Sequence, residues 1–295
     1  MRYLPETEAI HSFAVLAEER NFRRAAERLG IDHSALSRRI RDLENRIGFA
    51  LFERTTREVK ITEAGKLFRI ENDQMLTALR RSIANARLVA EGVSGRIRIG
   101  YMSFAAARLM PEAIACFKTI RPDVAFELIY LRSHAQKEAL SRGDIDVGLM
   151  IGPWETDAFS AVTVSSERLC AYFAAGSELD RTHEATLVSL ADQPLVMGTY
   201  EQWDLYRWML DDLFFQKGIV PAVAMEASSL TGILGLVRSG LGVSIFPECT
   251  AVLCPDGIKH RILEDCDLTL ETICVTPRRP SALIQEFVDR AFAST

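Results

Sequence analysis

The chain has 295 residues, of which 48% are hydrophobic and 25% are charged. These values are typical of a folded globular protein with two or three domains and exclude a disordered chain. The net charge of −5 is unevenly distributed: residues 1–60 contain 12 Lys and Arg against 10 Asp and Glu, whereas the rest contains 23 against 30. The mild excess of positive charge in residues 1–60 favours binding of this segment to phosphate groups.

Neither a targeting segment nor a metal site is predicted. The N-terminus is polar by residue 5 and no apolar run is long enough to cross a membrane, so we expect a cytoplasmic protein. The cysteines have no CxxC pair and no metal-ligand spacing, which predicts reduced thiols. They are Cys116, Cys170, Cys249, Cys254, Cys266 and Cys274. Because no catalytic motif or phosphate-binding loop stands out, we expect no enzymatic activity and no cofactor.

Two short helical patterns meet at Gly30, behind a first helix predicted at residues 6–19. Asn21 and Asp32 are good N-cap residues for the two patterns. In the second pattern an apolar stripe recurs every three or four residues, at Leu36, Ile40, Leu43 and Ile47. The opposite face is small and polar at its start and cationic beyond, with His33, Ser34, Ser37, Arg38 and Arg41. This arrangement predicts a helix-turn-helix whose second helix reads base edges at its tip and contacts phosphates along its flank.

A β-hairpin and a long helix follow. Short alternating strands at residues 51–54 and 59–61 enclose a tip at 55–58, which predicts a wing. Its cations Arg54, Arg57 and Lys60 suit DNA phosphates, although an ordinary solvated hairpin is the alternative.

From Thr62, a plausible N-cap, no proline interrupts a helical pattern up to about residue 91. Apolar residues recur every three or four positions along one side of this helix and form a narrow seam, at Leu76, Leu79, Ile83, Ala86 and Ala90. Such a seam predicts packing against another helix, and hence a dimer through residues 63–91.

Strand and helix patterns alternate after a Gly-Val-Ser-Gly hinge at residues 92–95. The first set has strands at 97–101, 124–131 and 145–151 and helices at 105–119 and 134–142, an order that requires a parallel sheet. The second set has strands at 168–175, 194–198, 223–227 and 243–246 and helices at 204–217 and 230–239. We expect the strand at 269–275 and the helix at 281–292 to return to the first lobe.

The N-terminal pattern resembles that of LysR-type transcriptional regulators. It runs Phe22-x-x-Ala25-Ala26-x-x-Leu29, then Ala35-Leu36-Ser37-Arg38-x-Ile40-x-x-Leu43-Glu44-x-x-x-Gly48-x-x-Leu51-Phe52-Glu53-Arg54, then Thr62-x-Ala64-Gly65. Further along, Asp144-x-Asp146-Val147-Gly148 and Gly240-Leu241-Gly242-Val243, with Pro247, resemble the family at matching places. One departure is that Asp32, His33 and Ser34 stand where the family often has Ser-Gln-Pro or Ser-Gln-Ser.

The resemblance implies a multidomain protein. Its parts are an all-α winged helix-turn-helix domain at residues 1–62, a linker helix for dimerisation at 63–91, and an α/β, two-lobed, periplasmic-binding-protein-like effector domain at 92–295. Lobe I takes residues 92–163 and 269–295, and lobe II takes 164–268. The implied partners are promoter DNA, further copies of the chain in a homotetramer, a small organic effector and RNA polymerase. For DNA binding we expect Arg23, Asp32, His33, Ser34, Ser37, Arg38, Arg41, Arg54, Arg57 and Lys60.

Ligands of such sheets bind where strands end and helices begin. The residues at these places predict an effector site formed by Ser103, Phe104, Arg132, Ser133, Ile151, Trp154, Thr199, Tyr200, Trp203, Tyr206, Ser229 and Phe246. The hydroxyls suit a carboxylate and the rings suit an apolar or aromatic body, although N-capping and lobe packing are the alternatives. By similarity, Ser103 and Ser133 match positions that bind the effector acid in regulators of aromatic catabolism.

Two questions remain open from the sequence. Some aromatic-acid sensors of the family have an arginine after the third strand, where this chain has Ile151, and Arg132 or Arg207 is a candidate substitute. Cys249 and Cys254 lie five residues apart in a predicted loop, so the alternative function is a redox-sensing regulator switched by cysteine oxidation.

Overall fold

The computed structural model describes residues 4–54, 59–90, 95–154, 156–182 and 184–292. The chain divides into two compact units: an N-terminal unit that runs to Ala90 and a C-terminal unit that contains almost all of the rest. Wing residues 55–58, with Arg57, lie outside the described part of the chain, as do residues 91–94, which include the first three residues of the predicted hinge at 92–95.

The N-terminal unit contains four helices and a hairpin. Its elements are α1 (Thr7–Glu19), α2 (Phe22–Leu29), α3 (His33–Ile47), β1 (Phe52–Arg54), β2 (Val59–Ile61) and α4 (Glu63–Ala90). Asn21 caps α2 as predicted, because its side chain accepts the N–H groups of Arg23 and Arg24. Asp32 occupies the predicted N-cap position of α3 in an extended conformation, but its side chain does not make the expected capping hydrogen bond.

Aromatic rings and small side chains build the core of this unit. The buried ring of Phe13 contacts Phe52 and Phe68, with centroids 5.5 and 5.3 Å apart. Ala25 and Ala26 are buried and belong to the same core as the α3 stripe, in which Leu36, Ile40 and Leu43 are buried and Ile47 is half-buried. The apolar pattern therefore identifies the inner face of α3 correctly.

Side-chain hydrogen bonds join the hairpin to the helices on either side of it. One carboxylate oxygen of Glu44, on α3, accepts the N–H groups of Leu51 and Phe52 at 2.7 and 3.1 Å. Thr62 caps α4 as predicted: its hydroxyl accepts the N–H of Gly65 at 2.9 Å and donates to the carbonyl of Ala50 at the same distance. The strands pair from Phe52 with Ile61 to Arg54 with Val59.

The C-terminal unit begins with lobe I. Its elements are β3 (Arg96–Tyr101), α5 (Ser103–Ala107), α6 (Leu109–Ile120), β4 (Ala125–Tyr130), α7 (Ser133–Arg142), β5 (Val147–Ile151) and the long β6 (Phe159–Ala174). Strands β5, β3 and β4 are parallel neighbours, as predicted. The helix predicted at 105–119 is in fact two helices, which meet at a non-helical Arg108.

Lobe II follows. It contains α8 (Glu178–Arg181), α9 (Leu187–Ala191), β7 (Leu195–Gly198), α10 (Tyr200–Gln216), β8 (Val223–Ala227), α11 (Leu230–Arg238), β9 (Ser244–Pro247), a 3₁₀ helix (Glu248–Leu253) and β10 (Ile258–Ile262). The chain then forms β11 (Thr269–Pro277) and α12 (Ala282–Ala291). Because β11 pairs antiparallel with β5, the predicted return to the first lobe is correct.

Strand β6 connects the two lobes. It pairs antiparallel with β11 along residues 159–168, with β9 along 169–172 and with β10 along 170–174. The predicted strand at 168–175 is therefore only the last part of a 16-residue strand. A register shift opposite Thr272 and Ile273 leaves Val164 as an extra residue in β6, which is the geometry of a β-bulge.

Gly65 offers a test of how closely α4 approaches the hairpin. A Cβ at Gly65 would lie 2.3 Å from the carbonyl oxygen of Leu51 and 2.8 Å from Cγ1 of Ile61. We expect Gly65→Ala to destabilise the N-terminal unit by about 1–3 kcal/mol, because backbone must shift to admit the methyl group. Circular dichroism melting and hydrogen exchange of α3 amides measure this effect.

Gly235→Ala is the matched control, because Gly235 lies in α11 and has open space around its Cβ position. We expect it to be neutral or to stabilise lobe II by about 0.5–1 kcal/mol. Tryptophan fluorescence measures the unfolding of the C-terminal unit separately, because all three tryptophans follow residue 150. Unchanged hydrogen exchange in Gly65→Ala would contradict the close approach.

Candidate functional site

The outer face of α3 is polar and cationic. His33, Ser34, Arg38 and Arg41 are exposed, and Ser37 is half-buried. Within the described residues, the guanidinium groups of Arg38 and Arg41 have neither an ion-pair partner nor a hydrogen-bond partner. The ring of His33 lies 5.6 Å from the ring of Phe22, the first residue of α2. This face therefore presents free cations and hydrogen-bonding groups to solvent.

Other arginines of the unit are engaged in ion pairs. Arg39 donates to the hydroxyl of Ser12 at 3.0 Å and lies 3.5 Å from a carboxylate oxygen of Glu8. Arg28 bridges Glu18 and Glu19 at 2.7 and 3.0 Å, and these contacts raise its pKa. The spacing of arginines alone did not distinguish these structural cations from Arg38 and Arg41.

The remaining predicted DNA-binding residues lie around this face. Arg23 is exposed and pairs with Glu27 at 3.1 Å within α2. Asp32 is exposed just before α3, and Lys60 is exposed on β2. The side chains of Arg54 and Arg57 lie outside the described part of the chain.

A small cavity lies between the lobes of the C-terminal unit, with a volume of about 30 Å³. It contains seven predicted effector residues: Ser103, Phe104, Arg132, Ser133, Ile151, Trp203 and Tyr206. Four further lining residues were not predicted: Met102, Tyr130, Gln202 and Asp204. The space suits about one or two water molecules, so the lobes have to separate before an organic molecule enters.

The lobe I side of the cavity is polar. The hydroxyl of Ser103, which begins α5, lies 3.0 Å from the hydroxyl of Tyr130. Ser133, the first residue of α7, is buried and its hydroxyl accepts the N–H of Ile151 at 3.2 Å. Arg132 reaches across to lobe II and donates to the backbone carbonyl of Glu201. Two hydroxyls and a guanidinium thus converge at the carboxyl ends of β3, β4 and β5.

The other side of the cavity is aromatic, with Phe104 from α5 of lobe I and Trp203 and Tyr206 from α10 of lobe II. The ring of Phe104 packs against Tyr206 at 4.8 Å and Trp203 at 5.9 Å. Trp203 donates its indole N–H to the carbonyl of Ser228 at 3.2 Å, and Tyr206 donates its hydroxyl to the carbonyl of Ile245 at 3.0 Å. Burial raises the pKa of Tyr206 well above its ordinary value, which keeps the phenol neutral. Because their polar atoms are satisfied, these rings offer an apolar surface.

Five predicted effector residues lie outside the cavity lining: Trp154, Thr199, Tyr200, Ser229 and Phe246. Trp154 stacks on Phe159 at 5.3 Å, with the ammonium of Lys137 5.0 Å from its ring. Ser229 is an N-cap that accepts the N–H of Gly232. Thr199 precedes α10, but its side chain makes no capping bond. Phe246 packs behind the cavity against Phe104, Trp203 and Tyr206.

Tyr200 and Arg207 belong to a network within lobe II. The Tyr200 hydroxyl donates to Asp211 at 2.5 Å, and its ring lies 4.3 Å from the guanidinium carbon of Arg207. Arg207 is buried and pairs with Asp211 at 3.1 Å and with Glu226 at 2.5 Å. Arg207 is thus already neutralised, which leaves Arg132 as the candidate for binding an acid.

The comparisons with known proteins agree with both units. Residues 7–66 match the family described as bacterial regulatory helix-turn-helix protein, lysR family, and residues 90–294 match the LysR substrate binding domain. The chain belongs to the LysR family. This LysR-family protein is a DNA-binding transcriptional regulator with an effector-binding domain, not an enzyme.

Individual relatives extend the match along the chain. This chain is 27% identical over 284 residues to the transcriptional regulator AlsR of Bacillus subtilis. The match covers 96% of this chain and 94% of AlsR. This chain is 30% identical over 250 residues to TfdS of Cupriavidus pinatubonensis, covering 84% of each.

Solved structures show the fold. Full-length CbnR complexed with its target DNA superposes with a TM-score of 0.73 at 23% identity, covering 98% of this chain and all of that one. The effector binding domain of BenM with its effector benzoate gives a TM-score of 0.61 at 22% identity, covering 67% of this chain and 90% of that one. The C-terminal unit of this LysR-family protein thus has the two-lobed, periplasmic-binding-protein-like fold. Of the helices described, none is both long and apolar enough to span a membrane.

The two thiols considered for redox switching, Cys249 and Cys254, are partly shielded from solvent. Cys249 and Cys254 are half-buried in and beside the 3₁₀ helix, where a loop was predicted. Burial raises the pKa of Cys249 to about 12 and that of Cys254 to about 11. Since the thiolate is the reactive form, both thiols are slow nucleophiles at neutral pH.

Alkylation tests this protection. We expect iodoacetamide at neutral pH to label exposed Cys116 quickly and Cys249 far more slowly, since a rise of three pKa units lowers the thiolate fraction about a thousandfold. Peptide mass spectrometry over time measures both rates in one sample. Comparable rates for the two residues would contradict the burial of Cys249.

Proposed function

We propose that this LysR-family regulator binds promoter DNA in the cytoplasm as a homotetramer of paired dimers and is switched by a small organic effector with a carboxylate and an apolar or aromatic body. The observation that carries the effector assignment is the interlobe cavity, where Ser103, Ser133 and Arg132 face an aromatic wall. Hydroxyl and guanidinium donors suit a carboxylate, and the rings suit an apolar body.

The DNA interface we propose is the exposed face of α3 with its flanks. Arg38 and Arg41 are free to contact phosphates, while His33 and Ser34 at the start of the helix are placed for base edges. Ser37, Arg23, Asp32, Lys60 and the wing cations Arg54 and Arg57 complete the proposed set. The complex of CbnR with its target DNA supports the assignment through shared fold.

Self-association is proposed through α4. Its exposed apolar side chains are Leu67, Ile70, Met75, Leu79 and Ile83, of which Leu67 is 63% exposed and Ile83 55%. Such side chains favour burial against a second copy of the helix. Leu76, predicted in the seam, is instead buried with Ile10 and Ala14 of α1, so the proposed seam excludes it.

A second apolar surface supports the tetramer. Trp208 and Phe215 lie seven residues apart on α10 and are 64% and 80% exposed, and the exposed Val220 and Val223 lie just before β8 and at its start. We propose that this part of lobe II contacts another copy of the chain. Effector binding then changes the arrangement of the subunits, DNA bending and contact with RNA polymerase, provided that the effector binds the two arrangements with different affinity.

The redox alternative is less favoured. Redox-sensing cysteines have low pKa values and are accessible, whereas burial raises the pKa of both Cys249 and Cys254. To test this alternative, peroxide is included among the compounds in the thermal-melting experiment described below, and the Cys249→Ser variant is measured beside the unaltered protein. A peroxide response that disappears in Cys249→Ser, with no response to any acid, would reverse this preference.

Substitutions in α3 test the DNA interface. We expect Arg38→Ala to weaken binding to the protein's own promoter and to lower the salt dependence by about one unit of slope, because one phosphate contact is lost. We expect His33→Ala to relax sequence preference, because a base-edge contact is lost. Fluorescence anisotropy at several salt concentrations, with specific and scrambled duplexes, measures both effects.

Arg28→Ala is the control for these substitutions. It removes a cation of similar exposure whose charge is already balanced by Glu18 and Glu19, so we expect little change in affinity. If Arg38→Ala and His33→Ala both bind like the unaltered protein, the proposed DNA interface on this face of α3 is wrong.

Thermal melting of the full chain against aromatic and aliphatic acids, amino acids and peroxide tests the cavity. A ligand that binds only the folded state raises the melting temperature. We expect Ser103→Ala to retain DNA binding and to reduce this shift, because its hydroxyl faces the cavity. Loss of DNA binding in Ser103→Ala would show that the residue is structural.

A further inference from the structure

The interlobe cavity contains opposite charges on opposite walls. Arg132 follows β4 in lobe I, and Asp204 lies near the start of α10 in lobe II. Within the described residues, neither side chain forms an ion pair, and the two do not pair with each other. The site is thus neither simply cationic nor simply apolar.

Each charge also keeps unused hydrogen-bonding capacity. Among the residues that the structure describes, Arg132 donates only to the backbone carbonyl of Glu201, so further N–H groups of its guanidinium are available. One oxygen of the Asp204 carboxylate accepts the N–H of Leu205, while the other has no partner within the described residues. Because hydrogen bonds between opposite charges are stronger than those between neutral groups, a ligand that pairs with both groups gains more than one that pairs with either alone.

We infer that the effector is a zwitterion: a molecule of the amino-acid class that carries a carboxylate, an ammonium group and an apolar or aromatic side chain. The inference rests on the proposed function, in which this cavity is the effector site. The carboxylate pairs with Arg132 beside the Ser103 and Ser133 hydroxyls, and the ammonium pairs with Asp204. The apolar side chain packs against Phe104, Trp203 and Tyr206.

The position of Asp204 argues against an acid without an amine. A simple aromatic acid would bring its negative charge into the same small space as an uncompensated carboxylate, and repulsion would oppose binding. An ammonium group replaces that repulsion by attraction. Since the two charges are on different lobes, a zwitterion also links lobe I to lobe II, which favours the closed arrangement.

The first test compares matched ligands on the unaltered, full-length protein. Thermal melting against the protein amino acids selects the best ligand with an apolar side chain, and calorimetry then compares it with its deaminated and decarboxylated analogues. For L-phenylalanine these are phenylpropanoate and phenethylamine. We expect the amino acid to bind at least about tenfold more tightly than either analogue, since each analogue loses one charge-assisted contact.

The second test replaces the proposed ammonium partner. We expect Asp204→Asn to weaken binding of the amino acid at least about tenfold and to leave the deaminated acid unchanged or bound more tightly. Asp212→Asn is the matched control on the same helix, because Asp212 accepts from Gln216 and is not a cavity residue, and we expect it to bind like the unaltered protein. The analogue comparison keeps the test decisive even if Asp204→Asn does not fold.

The outcomes separate this inference from the proposed function. If a deaminated acid binds as tightly as the amino acid and Asp204→Asn has no effect, the zwitterion is excluded while the acid-binding cavity stands. If no amino acid and no acid raises the melting temperature, the inference and the cavity assignment both fail, and the DNA-binding measurements then decide the remaining part of the proposed function separately.

Discussion

The antiparallel pairing of β6 with β11 is the constraint on which the C-terminal unit depends. These strands carry the chain between the lobes, and β6 joins the sheet of lobe I to the strands of lobe II along its 16 residues. Since backbone hydrogen bonds fix the register of both strands, the lobes are joined by a continuous sheet and not by a loose linker. The cavity exists because the helices α5, α7 and α10 begin on either side of this connection.

Sequence patterns predicted correctly those features that depend on residues close together in the chain. Asn21 and Thr62 cap helices because short polar side chains bond the first N–H groups, and the stripe from Leu36 to Leu43 is buried because its spacing follows the helix. Seven cavity residues were found by the same kind of argument, since parallel strands end at one edge of a sheet. In each case the information lies within a few neighbouring residues.

Features that depend on distant contacts were not predictable in this way. The alternation in β10 is short and polar, and this strand forms because residues 170–174 of β6 pair with it. The place of Asp204 in the cavity lining was not predicted, because Asp204 begins the predicted helix at 204–217 and does not follow a strand end. The contacts of Arg207 with Glu226 and of Trp154 with Phe159 were not predictable either, because the tertiary fold supplies these partners.

The small volume of the cavity has a consequence for sensitivity. With about 30 Å³ of free space and Arg132 bonded to Glu201 across the gap, the lobes are held together in this structure. Under the proposed function, an effector binds only the fraction of molecules that are open at any moment, and its apparent affinity is weaker than its intrinsic affinity by that fraction. Because Arg132 is also the proposed partner of the effector's carboxylate, a substitution at Arg132 would change lobe closure and recognition together. One guanidinium would thus set both the threshold of response and part of its specificity.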